Sequence, residues 1–272
     1  MAADLTGDDL PLTSADLPPM PNAVPTVVRP HRLRFALIYG GLGLVLIAAI
    51  AAVAVIATRS VESKPAWSAW QPKGGGLGAA QEIADHVSKS YRLPNGDQLV
   101  DVITKAPSIT PSSATLPIHY VAIKGTKGQA DQLYPVSSTN SVMYSMCGLG
   151  TSCEIASGTP SVERGRLVRR EILELALYTF KYAHGIQNVI ALMPTTPGKT
   201  AKYVVYLRKS DLDPKLKQPL DTTLGNTVPL AKAIPLREVH LIDSTTVPRL
   251  YSLGVAQAPQ GDLVFVFSPA PA

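Results

Sequence analysis

The run FALIYGGLGLVLIAAIAAVAVIAT, residues Phe35–Thr58, decides how this chain is organised. Its twenty-four residues carry no charge, and twenty of them are hydrophobic. As a helix the run is about 36 Å long, more than the roughly 30 Å hydrocarbon core of a bilayer. We therefore predict that Phe35–Thr58 is a transmembrane helix in contact with the lipid bilayer, and that the chain crosses the membrane once.

The position and length of the run favour an uncleaved signal-anchor over two alternatives. A cleaved signal peptide has an apolar region of about 7–15 residues close to the N-terminus, whereas thirty-four residues precede this run. The core helix of a soluble protein rarely stays uncharged over such a length. Val55-Ile56-Ala57 offers short side chains to a signal peptidase, so cleavage stays open as an alternative.

Basic residues on the two sides of the run differ in number. Four of them crowd its N-terminal side, namely Arg29, His31, Arg32 and Arg34, and only Arg59 and Lys64 follow closely on the other side. Cytoplasmic flanks carry more Lys and Arg than external ones. By a narrow margin, we predict a cell-membrane protein with a cytoplasmic N-terminus and an extracytoplasmic C-terminal domain.

The two cysteines, Cys147 and Cys153, predict a disulfide. The five residues between them include two glycines, so the chain can bring the two Cα atoms within the distance that a disulfide needs. Such a bond implies an oxidising compartment, in agreement with the charge argument. Two free thiols or half of a metal site are the alternatives, although the spacing fits neither a usual zinc site nor a redox C-x-x-C pair.

Composition divides the rest of the chain into a tail, a linker and a domain. Residues 1–34 are rich in proline and aspartate, which predicts a disordered cytoplasmic tail. Residues 59–76 form a Trp/Gly linker, whose Trp67 and Trp70 belong either at the membrane interface or against the folded domain. The remainder, 77–272, is predicted to be one extracytoplasmic domain.

Apolar spacing within 77–272 predicts an α+β domain. Helices are expected over residues 77–92 and 161–184. β-branched and aromatic runs predict strands at 99–103, 118–124, 189–193, 203–208, 250–256 and 263–267. Residues 210–248 carry five prolines and predict a long Pro-rich surface excursion, with a short strand at Val239–Ile242. The fold class expected is α+β, with about two helices and a largely antiparallel sheet.

Catalytic sequence motifs are missing from the chain. Residues 197–200, PGKT, match the end of a phosphate-binding loop, but Met193 stands where that loop needs its first glycine. The five histidines are scattered singly, so no local metal pair exists. A Ser/His/Asp site gathered from distant elements needs no such motif. We predict no cofactor and lean against an enzyme.

An arginine cluster is the sharpest charge feature of the chain. Glutamates interleave with it, and its members are Arg164, Arg166, Arg169 and Arg170. Guanidinium groups suit carboxylate or phosphate, so the cluster is a candidate patch for an anionic partner; a salt-bridged surface is the alternative. The net charge of +5 is small and no aromatic–basic repeat accompanies it, which argues against nucleic-acid binding.

Together these features predict a membrane-anchored, bacterial-type envelope protein whose external domain docks protein partners without catalysis. Ala48 and Ala52 have the spacing that lets membrane helices pack closely, so a homo-oligomer is a second kind of partner. The alternatives are an anchored hydrolase with a spatially assembled site and a ligand-binding sensor. A hydrolase requires a histidine that meets a carboxylate and a Ser or Cys side chain in a pocket.

Overall fold

The computed structural model describes residues 32–58, 66–110, 113–126, 128–150, 153–196 and 202–270. Residues 1–31 of the predicted tail, residues 59–65 of the predicted linker and the PGKT segment at 197–200 lie outside the described residues. The chain divides into two units, Met1–Ser63 and Lys64–Ala272. The second unit is called the body below.

The first unit contains a single described helix, α1, over Arg32–Thr58. Within it, Phe35–Val55 has a mean hydropathy of 2.4, and none of its most apolar window is buried. A helix that is apolar on every side has no polar face to turn toward water. α1 is the one helix among the described residues that is long and apolar enough to cross a membrane.

The body contains the remaining helices and nine strands. The helices are α2 (Gly76–Val87), α3 (Val162–Tyr182), α4 (Lys209–Leu216), α5 (Leu220–Thr223) and α6 (Leu236–Thr246). The first five strands are β1 (Asp101–Lys105), β2 (Ser108–Ile109), β3 (Leu116–Ile123), β4 (Gln132–Pro135) and β5 (Ser141–Cys147). The last four are β6 (Asn188–Leu192), β7 (Tyr203–Arg208), β8 (Leu250–Gln257) and β9 (Leu263–Pro269).

All nine strands form one mixed sheet. Their order is β1-β5-β6-β7-β8-β9-β3-β2, and β4 pairs with β3. Two pairs are parallel, β5 with β6 and β3 with β9. The prediction of a largely antiparallel sheet therefore holds only in part. For β5 and β6 the reason is that α3 acts as a crossover, which returns the chain beside β5 in the same direction.

The sheet curls into a nearly closed barrel. Met143 on β5 belongs to the same apolar cluster as Ile118 and Val121 on β3, although four strands separate β5 from β3 in the sheet order. A strongly twisted sheet that bends toward itself gathers side chains of its distant strands into one such cluster. Phe265 and Phe267 of β9 fill the interior, while the outer face of the sheet packs against the helices.

The long helix α3 agrees closely with its sequence prediction. Ser161 is its N-cap, and the Ser161 hydroxyl accepts a hydrogen bond from the backbone N–H of Arg164 at 3.1 Å. Gly185, three residues past its last residue, has a φ of +88°, which glycine adopts without strain. The predicted stripe of Val168, Ile172 and Leu175 is buried against the sheet and α2.

The segment 210–248 is helical where a surface excursion was predicted. It contains all of α5 and α6 and most of α4, so the prediction of about two helices is wrong. Pro219 and Pro235 hold the N-cap positions of α5 and α6, because a fixed φ suits the start of a helix as well as a turn. The strand predicted at Val239–Ile242 is part of α6.

Candidate functional site

The two cysteines are joined by a disulfide. Cys147 ends β5, Cys153 follows the short loop after it, and their Cα atoms lie 4.3 Å apart. Cys153 has a φ of +63° and Leu149 one of +66°, so the loop turns through left-handed conformations in order to close the ring. Among the described residues, no three His, Cys, Asp or Glu side chains are placed to share a metal ion.

The arginine cluster faces into the body. Arg166 and Arg169 both bind the carboxylate of Asp243 on α6, at 3.0 and 2.9 Å. Arg164 donates to the carbonyl oxygen of Ser157. These contacts join α3 to α6 and to the loop that precedes α3. The arginines of the cluster are therefore paired within the chain, and their role toward an anionic partner stays a prediction.

Arg170 is fully buried at the centre of a hydrogen-bond network. Its Nε donates to Glu238 at 2.7 Å and one Nη donates to Tyr91 at 2.6 Å and Glu174 at 3.2 Å. The other Nη donates to the carbonyl oxygen of Gly225 at 3.0 Å. Burial acts to lower the pKa of Arg170, but Tyr91 and the two glutamates raise that pKa overall, so the guanidinium stays charged.

Glu171, the next residue on α3, is buried without a partner. Neither carboxyl oxygen has a hydrogen-bond partner among the described residues. Burial, followed by the nearby charge of Glu174, raises the pKa of Glu171 well above its usual value. Burial in this position favours the neutral acid over the carboxylate.

A first cleft, the mouth cleft, lies where the curled sheet opens. It has a volume of about 440 Å³ and is bounded by the ends of β3, β7 and β9 and the start of β8. Its polar lining includes Lys124, Tyr134, Arg208, Asp211, Arg249 and Tyr251. Openings of β-barrels are frequent ligand sites because side chains from several strands converge there.

Two arginines share one carboxylate in the mouth cleft. Asp211 binds Arg208 through one oxygen and Arg249 through the other, each at 3.2 Å. Burial acts to raise the pKa of Asp211, but the hydrogen bonds from Arg249 and Arg208 lower that pKa overall. Since one negative charge faces two positive ones, the trio keeps a net positive charge.

The guanidinium groups of the mouth cleft keep free donor capacity. Besides Asp211, Arg208 donates to the Tyr134 hydroxyl at 2.9 Å, and Arg249 donates to the carbonyl oxygen of Thr245 at 2.9 Å. The described contacts therefore use two of the five N–H donors of each side chain. Arg208 is 38% exposed and Arg249 is 28% exposed, so both can reach a bound anion.

Aromatic rings support this charged trio. Arg208 lies over the ring of Tyr134 at 4.9 Å from its centroid, a cation–π contact that orients the guanidinium. Tyr134 lies near Tyr206, and Tyr206 and Tyr251 both contact Phe267. Arg208 therefore lies against a group of packed aromatic rings.

A second cleft, the tryptophan cleft, lies between the start of the body, α2, α3 and α5. Its volume is about 530 Å³. Its aromatic and polar lining comprises Trp67, Ser68, Trp70, His86, Ser90, Glu174, Tyr178, Asp221 and Asn226. Trp67 meets Tyr178 edge to face at 5.5 Å, and Trp70 stacks on His86 at 4.0 Å. The sequence leaves the tryptophans either at the membrane interface or against the folded domain, and the structure shows that they pack against the folded body.

The histidines make no catalytic constellation in the described part of the chain. His86 lines a cleft with Glu174 and two serines, but its described contacts are with the rings of Trp70 and Tyr178. Burial and the charge of Lys89 lower the pKa of His86. No hydrogen bond between a histidine and a carboxylate or hydroxyl occurs among these residues, so the geometry gives the hydrolase alternative no support.

Sequence reasoning did not identify the mouth cleft. Arg208 and Tyr134 are 74 positions apart, and each is unremarkable in its own segment. The one local signal is the spacing of Arg208 and Asp211, which permits an ion pair on a helix start. Comparison of the chain with family models, curated proteins and solved structures gives no match.

Proposed function

We propose that the chain is a single-pass membrane-anchored protein of the cell envelope, whose extracytoplasmic body docks an acidic segment of a protein partner without catalysis. The apolar helix α1 supports the anchor. The basic residues before it and the disulfide between Cys147 and Cys153 support the orientation. The mouth cleft supports the docking.

The observation that carries the docking proposal is the trio of Arg208, Asp211 and Arg249. Asp211 aligns both guanidinium groups and neutralises only one of them. A carboxylate of the partner completes the charge balance and accepts hydrogen bonds from the donors left free. Arg and Tyr are also among the side chains enriched at the centres of protein interfaces.

The orientation is testable with a membrane-impermeant thiol reagent on intact cells. We expect Cys147 and Cys153 to be labelled in intact cells only after the disulfide is reduced, since the bonded sulfurs have no thiolate to react. Labelling without reduction would show free thiols. Labelling that needs cell lysis, even after reduction, would place the body in the cytoplasm and refute the orientation.

Docking is testable with the full chain in lipid nanodiscs and a fluorescent peptide rich in Asp and Glu. We expect the double variant Arg208→Gln/Arg249→Gln to weaken binding of the peptide at least about tenfold, since charge-assisted hydrogen bonds contribute about 1.5–3 kcal/mol. The same peptide with Asn and Gln in place of its acids should not bind. Fluorescence anisotropy measures both affinities.

Two further variants separate docking from general charge or folding effects. The control Lys202→Gln/Lys217→Gln removes two exposed positive charges outside the mouth cleft and should change the affinity little. Asp211→Asn removes the competing carboxylate while it keeps both arginines, so it should strengthen peptide binding. If the control weakens binding as much as the arginine variant, the docking proposal is wrong.

A further inference from the structure

The tryptophan cleft has the opposite charge character to the mouth cleft. Its lining includes two carboxylates, Glu174 and Asp221, and contains neither lysine nor arginine. His86 is the histidine in this lining. Burial and the charge of Lys89 lower its pKa, so it adds no positive charge at neutral pH. The lining therefore attracts cations.

Glu174 presents a carboxyl oxygen that the network leaves unused. Both of its described hydrogen bonds, from Tyr91 and Arg170, end on Oε2. Its side chain is 17% exposed and lines the cleft. Arg170 is shared with Glu238 at 2.7 Å, so one guanidinium faces two glutamates. Burial raises the pKa of Glu174, although Tyr91 and Arg170 act to lower it, and a cation bound beside Glu174 would favour its ionised form.

Aromatic side chains line the same cleft as these carboxylates. Trp70 meets Tyr178 at 5.7 Å and Trp67 meets Tyr178 at 5.5 Å. The cluster already binds one ammonium group of this chain, since Lys181 Nζ lies over the ring of Trp67 at 5.5 Å from its centroid. Aromatic faces recognise ammonium groups, and a nearby carboxylate adds to the attraction.

We propose that the tryptophan cleft binds a small organic ammonium ion. The positive charge of the bound ion lies between Glu174 and Asp221, and the carbon groups of the ion pack against Trp70 and Tyr178. A cleft of about 530 Å³ is in the range of small-molecule sites. This site is separate from the docking cleft and does not depend on the docking proposal.

The tryptophans provide a direct test on the full chain in detergent micelles. The chain has only two, Trp67 and Trp70, and both line this cleft, so intrinsic tryptophan fluorescence reports on the cleft alone. We expect choline to change the fluorescence saturably. Its neutral isostere 3,3-dimethyl-1-butanol should bind at least about fivefold more weakly, since a cation over aromatic rings contributes about 1 kcal/mol.

Variants show whether the carboxylates are responsible. Asp221→Asn, at an exposed position, should weaken choline binding and leave the affinity for the isostere unchanged, and Glu174→Gln should act in the same direction. Asp213→Asn, an exposed acid of α4 outside the cleft, is the matched control. The proposal fails if choline gives no saturable change, if the isostere binds equally well, or if Asp213→Asn matches Asp221→Asn.

Two further measurements complete the test. Glycerophosphocholine in place of choline distinguishes a lipid headgroup from a free ammonium: tighter binding of the phosphodiester assigns a headgroup, and equal or weaker binding assigns the free ion. Arg208→Gln/Arg249→Gln should leave the choline titration unchanged, which keeps failure of this site distinct from failure of the docking proposal. Loss of choline binding in that variant would overturn the assignment to the tryptophan cleft.

Discussion

Arg170→Met is expected to lower the free energy of unfolding of the body by about 3–5 kcal/mol. Removing one member of a buried ion-pair network leaves the remaining charges without compensation, and this costs more than the lost hydrogen bonds alone. Here Glu238 and Glu174 lose a fully buried partner, and the carbonyl oxygen of Gly225 loses its donor. Urea unfolding followed by tryptophan fluorescence measures the loss.

Arg166→Met is the matched control, one turn earlier on the same helix. Arg166 is 20% exposed and shares Asp243 with Arg169, so Asp243 keeps a partner when Arg166 is replaced. A partly exposed pair of this kind contributes about 1 kcal/mol or less. Equal losses of unfolding free energy in the two variants would show that the buried network contributes no more to stability than the partly exposed ion pair.

A double-mutant cycle separates lost packing from uncompensated charge. Glu238→Gln removes the charge that Arg170 balances and keeps the shape of the side chain. The combination Arg170→Met/Glu238→Gln should therefore cost less than the sum of the single variants. Strict additivity would contradict the coupling that the 2.7 Å contact implies.

Glu171→Met is expected to raise the free energy of unfolding by about 1–3 kcal/mol. Both Glu171 oxygens are buried without partners, and a buried unsatisfied polar group costs about that much. Methionine is similar in length and is apolar and flexible, so it can fill the same space. The same urea titration measures the gain, and a loss of stability would show that Glu171 has a favourable contact in solution.

The pH dependence of Glu171 has a defined sign. Because burial raises its pKa in the folded state, stability is greatest below the unfolded-state pKa of about 4.3 and falls as pH rises toward the folded-state pKa. Glu171→Gln cannot ionise, so its advantage over the wild type should be larger at about pH 8 than at about pH 5. An advantage independent of pH would refute the raised pKa.

Glu163→Gln is the control with the opposite sign. Glu163 lies in the first turn of the same helix, and its pKa is lowered by a hydrogen bond from its own backbone N–H and one from the Ser161 hydroxyl. Its favourable effect is present above the unfolded-state pKa and is lost as pH falls. Glu163→Gln should therefore lower the stability of the body slightly near neutral pH and have less effect at acidic pH.

Local pattern predicted the elements that carry a clear period. α3 was predicted over 161–184 and spans Val162–Tyr182, because its apolar stripe and Ser161 cap are both local. β7, predicted at 203–208, spans Tyr203–Arg208. In each of these segments the residue pattern alone, an apolar stripe in α3 and a run of β-branched and aromatic residues in β7, indicates the type of secondary structure.

Other elements gave no such signal. β5 was not predicted, since most of its seven residues are buried and it shows no alternation of polar and apolar side chains. The sequence predicts a surface excursion with a short strand at Val239–Ile242 where α5 and α6 form, because Pro219 and Pro235 mark helix starts and turns equally well. In both cases the deciding contacts lie in other segments.

The candidate sites divide in the same way. The sequence marks the arginine cluster as an unusual charge feature, but its partners Asp243 and Glu238 lie on α6, which the sequence does not predict. The mouth cleft requires the sheet to curl, and nothing near Arg208 or Arg249 in sequence reveals that. Charge type can be read locally, whereas charge pairing depends on the path of the chain.

The sequence by itself determined the apolar run of α1, the helix α3, most of the strand segments and the balance of charge. Those properties follow from residues within a few positions of one another. The tertiary structure alone decided which strands are parallel, that Arg170 meets Tyr91 across 79 positions, and that two clefts of opposite charge exist. Contacts between residues so far apart in sequence form only when the whole chain folds around its core. The local hydrophobic pattern indicates which side chains are buried but not which residues they contact.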